Sequence, residues 1–356
     1  MSIDRSNFMR SVAALVVILF LSSASAQTPT HRIEIAEHQT IQASIGYEIR
    51  TTNFAVAQWT AFLPEPPELP SQIKIKTTTE PAGKLIAEKS PLARKVRLFD
   101  VPVANPTSGG KLVLRHDIQA TLRSRKLVLL KEDEKPPNVP ALAIAERKFY
   151  LAPSKRVDFD KPEFKEWLDA KKLRRTKGEA PLDFALRAMK VLRDDYKYEY
   201  DQEDEKRASV TCSRTKTDCG GMSFIFVAAM RANDIPARVL IGRLANPRRP
   251  GSNPTDTDYD QPHVRTELHV AGVGWVCVDP SYANRDKHRT LEELLGFDPG
   301  DMLVLHADLD LRLPVTDKEQ IVDLLQVEPY VWTQGRGKSD VTLGPTKWDL
   351  KTTLKN

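Results

Sequence analysis

The chain predicts an α+β protein in two parts: an antiparallel β-sandwich-like domain over residues 27–130 and, beyond a linker at 131–141, a domain over 142–356 in which a buried helix packs on an antiparallel sheet. Three observations carry this. Apolar and polar residues alternate through "HRIEIAEHQTIQASIGYEIRTT", "SQIKIKTTTE" and "GKLVLRHDIQATLRSRKLVLL", the period of half-buried strands, and Pro- and Gly-containing turns such as "LPEPPELP" and "NPTSGG" separate them. The segment "KEDEKPPNVPA" is charged, Pro-rich and aperiodic, as linkers are. After it the apolar residues recur at three- and four-residue steps, the period of a helix.

Taken in order, the first 26 residues stand apart from the fold: Arg5 and Arg10 precede "SVAALVVILFLSSASA", and Ala24-Ser25-Ala26 forms a small-residue cleavage site. This is a secretory signal peptide cut after Ala26, because its apolar run from Val12 to Leu21 is short of the ~20 residues a spanning helix needs. No later stretch is long enough to span a bilayer, so the mature chain is expected to be exported, periplasmic or secreted. The whole chain of 356 residues is 40% hydrophobic, enough for real cores. Its formal charge is +5; the leader holds two Arg and one Asp, so the mature chain carries +4. The basic residues are scattered among acids, as in "DAKKLRRTKGEA", without aromatic interleaving, which argues against nucleic acid as a partner.

In the second part, "PLDFALRAMKVLRDDY" places Leu182, Ala185, Leu186, Met189 and Leu192 on one helical face with Pro181 at the start, and a shorter helix precedes it around Phe164, Trp167 and Leu168. "TDCGGMSFIFVAAMRANDIPARVLIGRL" is a helix apolar nearly all round, stopped near Asn233 and Asp234 by Pro236, and followed by the strand "ARVLIGRL". A Pro/Asn/Asp-rich loop at 244–262 reads as a binding rim. Two strands follow, "HVRTELHV" and "GWVCVD", and near the C-terminus "DKEQIVDLL" has a helical look.

The chemistry-bearing residues lie in these segments. Cysteine reacts as thiolate, and Cys219 stands where a helix begins, the place where free N–H groups and the helix dipole stabilise an anion. Gly220 and Gly221 leave room for a substrate carbonyl and for N–H groups to meet an oxyanion. Alternation puts His263, Arg265, Glu267 and His269 on one strand face and Trp275, Cys277 and Asp279 on the next. A hairpin folding about Ala271 sets His263 directly across from Asp279, where a carboxylate can orient an imidazole as general base. The alternatives are a core thiol, a surface histidine and a turn-forming aspartate before Pro280. Three cysteines, Cys212, Cys219 and Cys277, are an odd number, so at most two pair; Cys212 and Cys277 either form a disulfide or stay as thiols. No Cys or His pair has zinc-ligand spacing, no calcium loop is recognisable, and no cofactor is implied.

"TDCGGMSFIFVAAMRANDIPARVLIG" resembles the nucleophile segment of the transglutaminase-like superfamily, which runs Gly-Asp-Cys, an apolar helix, Arg-Ala, then Gly-Ile-Pro-Ala-Arg. "HVRTELHVAGVGWVCVDPS" resembles its second segment: His-Ala-Trp, a glutamate four after the His, then Gly-Trp, two strand residues and Val-Asp-Pro. The resemblance spans about residues 180–282 and implies a papain-like core with Cys219 as nucleophile, His263 as base, Asp279 as orienting acid, and Glu267 and Trp275 as framework positions. The N-terminal β-domain is more loosely similar to the leading domain of many bacterial members. His269 falls where the family uses no histidine; a frame using it as base loses the pairing with Asp279. One tyrosine of Tyr196, Tyr198 and Tyr200 is a candidate oxyanion donor, as an aromatic donor serves in some relatives. Three residues depart from the pattern: Thr217 replaces the first Gly, Asp234 replaces the Gly before Ile-Pro, and Arg265 replaces the aromatic residue two after the His, bearing on the acyl-site wall and so on substrate choice. The implied reaction is thiol-dependent acyl transfer on an amide of a protein or peptide, with hydrolysis favoured over transamidation; a non-catalytic extracellular binder is the alternative of another class.

Overall fold

The computed structural model describes residues 30–200, 205–245, 262–315, 318–326 and 328–354. The expected signal peptide and most of the 244–262 rim lie outside the described residues. The chain forms β1 (His31–Pro64), β2 (Gln72–Glu80), β3 (Lys84–Ala87), β4 (Lys95–Pro102) and β5 (Ser108–Leu129), then α1 (Ile144–Phe149), α2 (Pro162–Ala170), α3 (Pro181–Asp195), β6 (Lys197–Tyr198), α4 (Ala208–Thr211), β7 (Lys216–Thr217) and α5 (Cys219–Ala232). There follow β8 (Ala237–Leu244), β9 (Pro262–Val270), β10 (Gly274–Val278), α6 (Pro280–Arg285), α7 (Leu291–Leu294), β11 (Met302–Ala307), β12 (Leu311–Val315), β13 (Lys318–Val322), β14 (Tyr330–Gly337), β15 (Thr342–Leu343) and β16 (Lys347–Leu354).

The N-terminal region is strongly antiparallel, as expected, but its core is made by one sheet bent on itself. The strand β1 is its spine, pairing with β5 and β4 and also with β16, β15 and β14. The positions that enter this core are odd from Ile41 to Ile49, even at Phe54 and Val56, and odd again from Trp59 to Leu63, while Phe62 is buried on the other face in a separate cluster. Each change of parity coincides with a register shift, between Thr51 and Ala55 against β5 and between Val56 and Gln58 against β14. Because one extra residue turns every following side chain to the other face, these bulges let a single strand line one core with both its halves.

Two expectations differ from the structure. The stretch 330–354, expected with the second domain, returns to complete the N-terminal sheet through β14, β15 and β16. "DKEQIVDLL" is not a helix; Lys318–Val322 is β13, paired with β12, whose Leu311, Leu313 and Val315 are buried against Phe62 and Val96. That partner strand decides the conformation over local periodicity.

The second region is built on an antiparallel sheet in the order β10-β9-β8-β11, with α5 on one face. Ala237, Val239 and Ile241 of β8, Val264 and Leu268 of β9 and Val276 and Val278 of β10 join Met222, Ile225, Phe226 and Ala229 of α5 in one core. Burying each large side chain stabilises this packing by ~1.5–3 kcal/mol, so the helix start is fixed against the sheet. On the β11 side Leu303 and Leu305, with Ala245, enter the core of the N-terminal sheet.

Candidate active site

The helix α5 opens on the turn Thr217-Asp218-Cys219-Gly220-Gly221. Asp218 is its N-cap: Oδ1 accepts from the Gly221 N–H at 3.1 Å, and Oδ2 lies 3.0 Å from Lys206 Nζ. A Cβ on Gly221 would meet Thr217 Oγ1 at 2.0 Å, so a glycine is required where the helix passes the strand that delivers it. The Gly221 N–H is consumed by the cap, leaving those of Cys219 and Gly220 as the ones at the helix entrance. Cys219 itself is buried, with 7% of its surface exposed.

The hairpin of β9 and β10 is displaced by two residues from the expected register. Trp275 faces His269 and Cys277 faces Glu267, so the ladder sets Asp279 opposite Arg265 and diagonal to His263. The cause is the turn: it spans Ala271–Val273 and uses Gly272 (φ 76°) and Gly274 (φ 98°) in the left-handed region. A displacement of two leaves every side chain on its face, and the diagonal neighbour remains within reach. His263 Nε2 and Asp279 Oδ2 are 2.7 Å apart. Asp279 is pinned from its other side, Oδ1 accepting from Ser281 Oγ–H at 2.9 Å and from the Tyr282 N–H at 2.9 Å as the N-cap of α6.

Cys219 also acts electrostatically on His263, so the structure brings all three candidates of the sequence into one neighbourhood. With Nε2 on the carboxylate, Nδ1 is the nitrogen left for the thiol. Burial opposes the charged imidazolium, but the charge and hydrogen bond of Asp279, followed by Cys219, outweigh it and raise His263 to about 9. Burial likewise opposes the Asp279 carboxylate, and His263 with Arg265 holds it below the ordinary carboxylate range.

Of the three tyrosines, the parallel pair β6–β7 selects one. Tyr198 stands beside Thr217 in that ladder, two residues before Cys219, and its phenol is close enough to Cys219 to feel its charge. Burial, with the neighbouring Cys219, pushes the phenol up, so it stays a protonated donor; Arg285 lies over its ring at 4.6 Å. Tyr196 is buried and donates to the Cys212 carbonyl at 2.9 Å, and Tyr200 is exposed.

Arg265 does not line an acyl-site wall. It is buried, with Nε 3.1 Å from Asp279 Oδ2, Nη1 3.1 Å from Asp298 Oδ1 and Nη2 2.6 Å from Asp301 Oδ1. Glu267 is a framework residue as expected from its position, held by Arg125 Nη1 at 2.5 Å and Arg238 Nε at 2.7 Å, and Arg238 covers the Trp275 ring at 4.0 Å. His269 packs edge-on against Trp275, and burial together with Arg238 lowers it to about 4, which leaves it neutral and away from Asp279. Cys212 and Cys277 are free and buried, Cys212 in the helical core and Cys277 beside Glu267, so no bond links them. Asp234 adopts φ 60°, a conformation that suits glycine, with its carboxylate 3.0 Å from Arg147.

Sequence reasoning missed Arg125, Asp298 and Asp301, and it met Arg238 as the last residue of the Ile-Pro-Ala-Arg motif without giving it a role. Arg125 is off the even-numbered buried stripe of β5, which runs from Leu112 to Leu122, so no local pattern marks it. Among the described residues, no group of three His, Cys, Asp or Glu is placed to hold a metal ion, and no helix is long and apolar enough to cross a membrane.

The model of the Transglutaminase-like superfamily matches residues 170–280, the span that contains Cys219, His263 and Asp279. Residues 170–280 form a transglutaminase-like domain. A solved structure described as a candidate cysteine protease from Cytophaga hutchinsonii is 13% identical and superposes with a TM-score of 0.55, covering 91% of this chain and 94% of that one, which shows a shared fold across both regions. The periplasmic domain of TgpA from Pseudomonas aeruginosa is also 13% identical, with a TM-score of 0.34 over 70% of this chain and 92% of that one. No curated protein matches the chain.

Proposed function

We propose that the transglutaminase-like domain is a cysteine hydrolase that cleaves an amide bond of a protein or peptide, with Cys219 as nucleophile, His263 as proton carrier and Asp279 as the group that orients it. The observation that carries this reading is His263 with Nε2 2.7 Å from the Asp279 carboxylate and within electrostatic reach of Cys219. A thiol beside an imidazole of raised proton affinity transfers its proton and exists as a thiolate–imidazolium pair. The thiolate attacks the amide carbonyl carbon. The negative charge that develops on the carbonyl oxygen is met by the Tyr198 hydroxyl and the N–H groups at the start of α5. As the C–N bond breaks, the imidazolium gives its proton to the leaving amine and a Cys219 thioester remains. Water, deprotonated by His263, adds to the thioester, and the acid leaves with the thiolate restored.

The likeness to a protein described as a candidate cysteine protease supports hydrolysis as the outcome. The leader sequence supports action outside the cytoplasm.

The test is a peptide-library digest at neutral pH, with intact-mass detection of an acyl adduct on Cys219. The wild-type protein is expected to cleave, and Cys219→Ala to lose at least about 10,000-fold in rate. Alkylation of Cys219 by chloroacetamide should be fast, and slowed in His263→Ala. Equal slow alkylation in both proteins would sink the hydrolase reading in favour of a binding protein, while turnover that appears only with an added amine would replace hydrolysis by transamidation.

A further inference from the structure

Arg265 and Asp279 are bound through the same oxygen that holds the imidazole. Asp279 Oδ2 is 2.7 Å from His263 Nε2 and 3.1 Å from Arg265 Nε. Behind Arg265 the contacts continue without a break: its Nη1 reaches Asp298, Asp298 Oδ2 receives Arg125 Nη2 at 2.9 Å, Arg125 Nη1 reaches Glu267, and Glu267 receives Arg238. Arg125 belongs to β5 of the N-terminal sheet, and its backbone also bridges to Asp298, with N–H to carbonyl bonds of 2.8 and 2.9 Å in the two directions.

The charges facing this line come from every element packed around it. β8 contributes Arg238, β9 contributes His263, Arg265 and Glu267, and Asp279 follows β10, which adds the Cys277 thiol. The segment before β11 contributes Asp298 and Asp301, β5 contributes Arg125, and Cys219 with Tyr198 lies on the far side of the imidazole. Burial pushes Cys277 well above the ordinary thiol range and Tyr198 stays protonated, so neither adds charge. The network is then three buried carboxylates, Glu267, Asp279 and Asp298, and the half-buried Asp301 at its edge, with three guanidiniums, Arg125, Arg238 and Arg265.

We propose that Arg265, backed by the ion network reaching Arg125 of the N-terminal sheet, is a positioning residue that shares the Asp279 oxygen with His263 and so limits how tightly the imidazolium proton is held. Resting on the Cys219–His263–Asp279 assignment, this gives the network a use in the reaction: the imidazolium must surrender its proton to the leaving amine, and an aspartate that answered to His263 alone would retain it. In low dielectric, a charge one residue away shifts such a proton equilibrium by an amount that matters. The N-terminal sheet is thereby part of the device that tunes the base.

The test follows the His263 ring directly, by NMR titration of the full chain labelled with ¹³C-histidine, in a Cys219→Ala background so that no thiol titration is superposed. Arg265→Gln should raise the His263 midpoint by about one pH unit, Arg265→Lys should leave it near the parent value, and Asp301→Asn should lower it. Asp301 is at the solvent edge, with 21% of its side chain exposed, so Asp301→Asn carries the test alone if Arg265→Gln does not fold. A midpoint unmoved by Asp301→Asn, or moved upward by it, overturns the proposal, as does a folded Arg265→Gln protein with an unmoved or lowered midpoint. A structural role confined to packing changes stability and leaves these midpoints alone. Because the ring titrates whether or not any amide is cleaved, failure of the hydrolase reading is recognised separately, in the digest and the alkylation rates.

Discussion

The two faces of the sheet β10-β9-β8-β11 do different work with the same strands. One face is Ala237, Val239, Ile241, Val264, Leu268, Val276 and Val278, packed under α5. The other carries Arg238, His263, Arg265, Glu267 and Cys277 and continues to Asp279, facing Asp298 and the Arg125 side chain of the N-terminal sheet. The apolar face sets where the helix start lies; its energy is spread over many contacts, none specific in angle. The ionic face sets how the imidazole is held, and each contact there is directional and consequential when lost. A site needing both a placed thiol and a tuned base uses each face for what its chemistry does best.

The comparison breaks most visibly at Arg125. Arg125→Met leaves Glu267 and Asp298 without the guanidinium that joins them, and removing one partner of a buried ion pair costs about 3–5 kcal/mol. Urea unfolding should show a loss of that size; a loss below about 1 kcal/mol would mean that the network is not sealed from water. The next effect is in pH. His263 is raised to about 9 from an ordinary value of 6.5, so the folded state holds a proton that the unfolded chain has released between those limits. The resulting stabilisation is complete below the unfolded value, declines through the window and is lost as pH rises past about 9, amounting to about 3 kcal/mol. Unfolding at pH 6 and at pH 10 should therefore differ by that much more in the wild type than in His263→Gln; equal pH dependence would contradict the raised proton affinity.

The faces also differ in how much the sequence discloses. The apolar face was legible: "ARVLIGRL" is the strand Ala237–Leu244 as expected, and the run after Cys219 gives a helix whose cap is Asn233, next to the predicted stop. Cys219, His263 and Asp279 were legible as types at a spacing, and they meet even though the hairpin register is displaced by two, because a displacement of two keeps the face. The ionic face was not legible beyond its own strands. Its partners Arg125, Asp298 and Asp301 come from distant segments, and a single buried arginine or a turn aspartate has no periodicity to announce it. Arg265 was seen as a departure from the family pattern, but its role depends on those unseen partners. Tyr198 was one of three until the pairing of β6 with β7 distinguished it.

Tyr198 and Ile241 sharpen the comparison at its smaller end. Tyr198→Phe removes one hydroxyl beside Cys219 and nothing else, so kcat should fall about 100-fold with KM little changed, the signature of a donor that acts on the oxyanion. An unchanged kcat would assign the phenol to packing. Ile241→Val removes one methylene from the fully buried apolar face, and should cost about 1 kcal/mol in urea unfolding. Its significance lies in what it leaves unchanged. If the apolar face only locates the helix, the remaining side chains relax into the small void, and the pH dependence of Cys219 alkylation stays that of the wild type. Should Ile241→Val move that pH dependence, packing under α5 would be setting the Cys219–His263 geometry, and the division of labour between the faces would fail. A loss of stability with an unmoved profile, beside the shifted His263 midpoint expected of Arg265→Gln, separates placing the thiol from tuning its base.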